Sequence, residues 1–233
     1  MSARFVLGIA LSVFGTSILA AQVGTTPEKS PFRDVEKRQD LTLIVGASTG
    51  GKDKAGAAPR GGLALGLRYD VRLGGSPLAF TTSFVRQSAT RDILQPGLPL
   101  ANRVGANVSQ PLYFIDAAFT ILLTGSKSWH ALMPSVTAGI GLATDNKAVT
   151  DSSQFKFGNR FAPLVGLGLK YAPERSRWTV RGDITYRFYS VPYPDTFRDS
   201  TPNVPRIVRL GTKNSWTRNS MFTIGLVREF GRR

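Results

Sequence analysis

Residues 62–73 read Gly62-Leu63-Ala64-Leu65-Gly66-Leu67-Arg68-Tyr69-Asp70-Val71-Arg72-Leu73, so that large apolar side chains alternate with small or charged ones. A period of two is the mark of a β-strand with one apolar face. The same alternation returns along the chain and predicts eight strands, approximately over 41–48, 61–73, 78–88, 110–123, 131–142, 160–171, 177–190 and 216–230. Most of these match the roughly 9–11 residues that a tilted strand needs to cross a bilayer. Soluble strands average about 5–6.

The connections alternate in length. Residues 73–77, 123–131 and 172–177 form tight turns rich in Gly, Ser and Pro, whereas 48–60, 88–109, 143–159 and 191–215 are long and polar. Short turns at one end and long loops at the other are the habit of outer-membrane barrels, with the turns periplasmic and the loops outside. The predicted fold is therefore all-β: an eight-stranded antiparallel up-and-down transmembrane barrel. A weak repeat supports the register, since Gly66-Leu67-Arg68-Tyr69 and Gly168-Leu169-Lys170-Tyr171 both end on a tyrosine near a short turn. Those tyrosines and Trp178 are expected at the periplasmic rim, with Tyr186 and Phe188 at the opposite one.

The N-terminal residues fit export. Arg4, an apolar run over 5–19 and the small pair Ala20-Ala21 have the layout of a signal peptide cleaved near Ala20 or Ala21. The domain reading is thus a signal peptide over 1–21, a polar periplasmic linker over 22–40, either flexible or briefly helical over 34–39, and a barrel domain over 41–233. The chain has 233 residues, no cysteine and a formal charge of +15, which falls to +14 once Arg4 is removed. Without cysteine there is neither a disulfide framework nor thiolate ligation of a metal. The basic balance suits anionic surfaces.

Alternation alone leaves open whether the apolar face points into a core or out into lipid, and charge placement bears on that choice. Arg68, Arg72, Lys170, Arg181 and Arg187 share the polar face with Asp70, Asp116, Asp183 and Glu229, five cations against four anions. A nearly neutral face inside a strongly basic chain is expected to be a lumen network of paired charges, because burying any one unpaired costs several kcal/mol. Arg228 stands apart: parity turns it toward lipid, close enough to its strand end for a cost of about 0–1 kcal/mol.

Few motifs suggest chemistry. Gly46-Ala47-Ser48-Thr49-Gly50-Gly51-Lys52 approaches a phosphate-binding loop, but Asp53 follows where Ser or Thr should hold magnesium, so a glycine-rich surface loop is the reading. His130 is the single histidine and falls on a short turn beside Trp129, away from where an outer-leaflet hydrolase would need its base. No catalytic, metal or cofactor site is expected, and the lumen carboxylates are assigned to ion pairs. The loops show no nucleic-acid module, and lipopolysaccharide phosphates suit their cations better.

The stretch Phe222-Thr223-Ile224-Gly225-Leu226-Val227-Arg228-Glu229-Phe230 resembles the aromatic-ended terminal strand of outer-membrane barrels, although Gly231-Arg232-Arg233 follows the aromatic. With the signal layout and the loop asymmetry, the mature chain resembles the OmpA-like outer-membrane β-barrel family. The resemblance implies recognition of the last strand by the barrel assembly machinery and carries over no catalytic residue. The expected protein is a monomer of the outer membrane with a narrow or sealed lumen and a structural or surface-interaction role, touching membrane lipid and lipopolysaccharide. Three alternatives remain: a small diffusion channel, with room left by Gly66, Gly168 and Gly225; an outer-leaflet enzyme using Asp116 or Asp183; and a soluble exported lipocalin-like barrel.

Overall fold

The computed structural model describes residues 30–35, 37–51, 53–145, 153–173, 176–200 and 204–231, with Leu100 described by its backbone alone. The signal-peptide reading lies outside these residues, as do Lys52, Arg232 and Arg233. Eight long strands act as staves: β2 (Gln39–Gly50), β3 (Leu63–Arg72), β4 (Leu78–Gln87), β7 (Leu112–Leu122), β9 (Leu132–Asp145), β11 (Leu164–Tyr171), β12 (Trp178–Pro192) and β13 (Asn214–Phe230). Each is antiparallel to the next in chain order, and β13 returns to pair with β2 through Phe230↔Gln39 to Asn219↔Gly50, which closes the sheet. Closure leaves no stave with an unpaired edge, a condition for backbone inside hydrocarbon.

The alternation resolves in one direction only. Leu43, Val45, Leu65, Leu67, Ile115, Phe119, Ile140, Leu167, Phe222 and Ile224 all point outward and are 49–59% exposed, while Arg68, Asp70, Asp116, Lys170, Arg181 and Arg187 are buried inside. This overturns the soluble lipocalin-like alternative, whose apolar face would have to line the interior. The outward surface forms a continuous apolar band with aromatic side chains at its ends. At the short-turn end these are Tyr69, Tyr171, Trp178 and Phe230, and Tyr69 stacks on Phe230 with ring centres 6.1 Å apart.

Several shorter elements fall where the alternation is too brief to read. Strand β1 (Phe32–Asp34) lies within the stretch expected to be a linker and pairs with β8 (Lys127–Trp129) on the turn between β7 and β9; no helix forms over the described part of 34–39. Stave β2 likewise begins two residues earlier than expected. The second long loop carries a hairpin of β5 (Thr90–Leu94) and β6 (Val104–Ser109). The sixth predicted strand is broken into β10 (Arg160–Phe161) and β11, because Pro163 has no backbone N–H to continue the ladder.

In a fluid bilayer, Ile224→Arg at mid-band is expected to cost about 2–4 kcal/mol and Tyr171→Arg at the rim about 0–1 kcal/mol. Urea unfolding of the two variants from phospholipid vesicles measures the difference.

Candidate functional site: a charge-filled lumen under a folded cap

The polar face of the staves builds the interior in layers. At the short-turn end the Lys170 ammonium donates to Asp40 at 2.7 Å and to Glu229 at 2.8 Å. Lys37 reaches the other oxygen of Glu229 at 3.3 Å and the Ser176 carbonyl at 2.7 Å. Asp40 and Lys37 were missed because both lie in the stretch read as linker. Extending the parity of Thr42 and Ile44 back by one step would have placed Asp40 on the inner face.

Lys37 belongs to a strap that crosses this mouth. Strand β1 is held on the β7–β9 side, halfway round the ring from β2, yet residue 39 already starts β2. The five steps between Asp34 and Gln39 reach about 16 Å when extended. The strap is tied by Val35 N–H to Ser126 O at 3.0 Å and His130 N–H to Pro31 O at 2.9 Å on one side. Arg72 N–H donates to Arg38 O at 2.9 Å on the other. His130 thus serves the turn through its backbone, with its ring edge-on to Trp129.

At mid-barrel, four charges from β3 and β12 close an alternating ring. Arg68 grips Asp70 through Nε and one terminal nitrogen in three contacts of 2.8–3.1 Å, and the Arg181 Nε grips Asp183 at 2.7 and 2.8 Å. Across the lumen, Arg68 faces Asp183 and Arg181 faces Asp70, each at 3.7 Å. An arginine and an aspartate two residues apart share one face of a strand, so Arg68-x-Asp70 and Arg181-x-Asp183 present the same pair from two walls. That repeated tripeptide was visible in the sequence as a signal for the ring. A hydroxyl ladder completes it, with Thr81 donating to Asp70 at 2.5 Å and Thr81, Thr120 and Thr137 linked at 2.8 Å steps.

Above the ring, Arg187 donates to Asp116 at 2.6 Å and Ser83 adds a bond to the same oxygen at 2.7 Å. Of the predicted lumen set, only Arg72 stands outside these layers, half-buried near Met133 at the short-turn end. The cavity left between the ring and the Asp116–Arg187 layer is about 30 Å³, room for no more than a few waters. The room expected beside Gly168 is filled: a side chain there would collide with Asp183, Arg181 and Ser135.

The long loops fold into the upper mouth. The Arg187 guanidinium lies over the Phe114 ring at 4.8 Å, Phe114 packs on Tyr189, and Phe157 meets Tyr189 edge-on at 5.4 Å. Phe155, Tyr193, Phe197 and Val208 join the same buried apolar cluster. Gln154-Phe155-Lys156-Phe157 alternates exposed and buried positions without forming a strand, and this short alternation was the unread sequence signal for a cap. Asp53 organises the glycine-rich loop in place of phosphate. Its carboxylate accepts from Ala58 N–H at 2.9 Å and Ala55 N–H at 3.2 Å, and from the Tyr193 hydroxyl at 2.7 Å. Burial, reinforced by this carboxylate, pushes the Tyr193 phenol above its ordinary range, so it keeps its proton and remains the donor.

The fold has solved counterparts. Outer membrane protein OprG from Pseudomonas aeruginosa superposes with a TM-score of 0.51 over 84% of this chain and 98% of its own, at 11% identity. Neisserial surface protein A gives 0.48 over 86% and 98% at 16% identity, and the outer membrane enzyme PagL gives 0.39 over 82% and 99% at 14% identity. No protein-family model and no curated protein sequence matches the chain. The protein has the closed eight-stranded antiparallel barrel of outer-membrane proteins, with its polar face inside and its apolar face outside.

Asp183→Asn is expected to cost about 3–5 kcal/mol by leaving the two buried arginines of the ring with one carboxylate, Asp70, between them, while the paired change Asp183→Leu/Arg181→Met costs less than the sum of its single changes. A double-mutant cycle in urea measures both. Tyr193→Phe is expected to cost about 1 kcal/mol and to expose the loops to limited proteolysis while the staves stay protected.

Proposed function

We propose that the protein is an outer-membrane barrel of the OmpA-like kind, acting as a monomer that does not conduct and that works through its folded cap in a structural or surface-interaction role. The observation that carries this reading is the stack of ion pairs and packed rings across the interior, from Lys37 at the strap through the Arg68–Asp70–Arg181–Asp183 ring to Phe157 in the cap, interrupted by a cavity of about 30 Å³. A diffusion channel would need a water path through these layers. The lumen carboxylates that an outer-leaflet enzyme would use, Asp116 and Asp183, are engaged by Arg187 and Arg181, which supports a non-catalytic reading.

In this reading the short turns face the periplasm and the cap faces outward. Lys54, Lys156, Arg206, Arg209 and Lys213 are exposed on the described long loops against exposed Asp195 and Asp199, a balance suited to lipopolysaccharide phosphates. Stave β13, ending at Phe230, would be the strand offered to the assembly machinery.

Planar-bilayer recording on the folded protein in concentrated KCl tests the reading. A flat current with no discrete steps is expected; regular single-channel steps from the wild-type protein would replace it with the channel.

A further inference from the structure

On the eight staves, the outward face carries three charged side chains, and all are arginines: Arg86, Arg218 and Arg228. No outward stave position holds a carboxylate. Two of the three share one seam. Arg228 lies over the Trp178 ring at 4.9 Å, and Arg218 lies over the Tyr186 ring at 5.5 Å, both on the β12–β13 pair. Ten residues separate these arginines along β13, about 34 Å of strand. At a tilt of about 45° that is about 25 Å of height, the thickness of a barrel's apolar band. Phe222, Ile224 and Leu226 occupy the outward positions between them with Ser220. The seam therefore sets a guanidinium resting on an aromatic ring at each edge of the band.

Such a charge next to hydrocarbon needs a partner. The outward neighbours of Arg228 on its own and adjoining staves are Trp178, Val180, Leu226, Phe230, Leu41 and Tyr69, none of them anionic. The indole beneath it holds the guanidinium against the wall and covers one side of it, leaving N–H donors for an oxyanion. Arg177, exposed on the adjoining turn, adds a second cation: its carbonyl accepts Glu229 N–H at 3.0 Å. A phosphodiester at the headgroup level matches both charge and geometry.

We propose that Arg228, Trp178 and Arg177 form a binding site for the phosphate of an anionic phospholipid headgroup at the short-turn edge of the band. The proposal rests on the membrane reading above. It explains why a lipid-facing arginine stands beside the terminal aromatic, and it makes the short-turn end of the β12–β13 seam the place where a headgroup is held longest.

The test uses the full mature chain carrying Trp129→Phe and Trp216→Phe, so that Trp178 is its single fluorophore. The protein is folded into phosphatidylcholine vesicles containing phosphatidylglycerol, with the bromine label placed on the acyl chains of one lipid or the other. Phosphatidylglycerol is expected to quench Trp178 with about five-fold preference over phosphatidylcholine. The preference should disappear in Arg228→Gln, return in part in Arg228→Lys, persist in Arg86→Gln on another wall, and survive added inorganic phosphate. Equal quenching by the two lipids, or a preference unchanged in Arg228→Gln, would overturn the site. Loss of the preference to inorganic phosphate would overturn the lipid as its ligand. Absence of quenching by either lipid would instead overturn the membrane reading itself.

Discussion

Pairing of the inward charges organises the molecule: Arg68 and Arg181 each hold an aspartate of their own stave and face the other's across the lumen, and Lys170 and Arg187 are answered from other walls. A stave that faces hydrocarbon on one side leaves its alternate residues in a space too narrow for bulk water. There an unpaired ion costs several kcal/mol. Lys170 of β11 meets Asp40 of β2, Arg181 of β12 faces Asp70 of β3, and Arg187 of β12 meets Asp116 of β7. These partners belong to staves that are not neighbours in the sheet. The pairs therefore brace the barrel across its diameter, where the hydrogen-bond ladder acts only around its circumference. Stave β12 supplies Arg181, Asp183 and Arg187, which makes it the hub of the bracing.

The two mouths are finished by different chemistry. At the short-turn end the chain crosses beneath its own barrel before entering it, and Lys37 extends the ionic network into that strap. At the long-loop end the ionic layers give way to rings, with Arg187 over Phe114 as the junction between a charge-filled interior and an apolar cap. The cap is a small core of its own. Its loops are held by burial of Phe155, Phe157 and Phe197 and by the Tyr193–Asp53 bond, and they present Lys156 and Arg209 outward from a fixed base.

The staves were legible because period-two alternation over ten or more residues has no competing interpretation in a chain this rich in turns. Parity put Arg68, Asp70, Asp116, Lys170, Arg181, Asp183, Arg187 and Glu229 on the polar face, and the near-neutral balance of that face in a strongly basic chain pointed it inward. Pairing across the lumen was not legible, since it depends on stagger and tilt: Arg187 meets Asp116 rather than a residue of an adjoining stave. Short elements failed for a related reason. Three residues at Phe32–Asp34 carry too little pattern to separate a strand from a polar linker, and only their partner β8 makes them one. The cap was hidden because its apolar side chains are spread over loops distant in sequence, each with too few to register as a core.

The most direct test of an apolar face turned to lipid and a polar face turned to a packed interior is the accessibility of spin labels placed singly on two separate staves, β13 and β9. Labels at Phe222, Ile224 and Ile140 in a reconstituted barrel should collide with oxygen dissolved in the bilayer and be shielded from a water-soluble nickel chelate. Labels at Thr223 and Thr137 should be shielded from both. Access of the nickel chelate to Phe222 and Ile224, with Thr223 and Thr137 shielded, would place the apolar face in water and contradict the account.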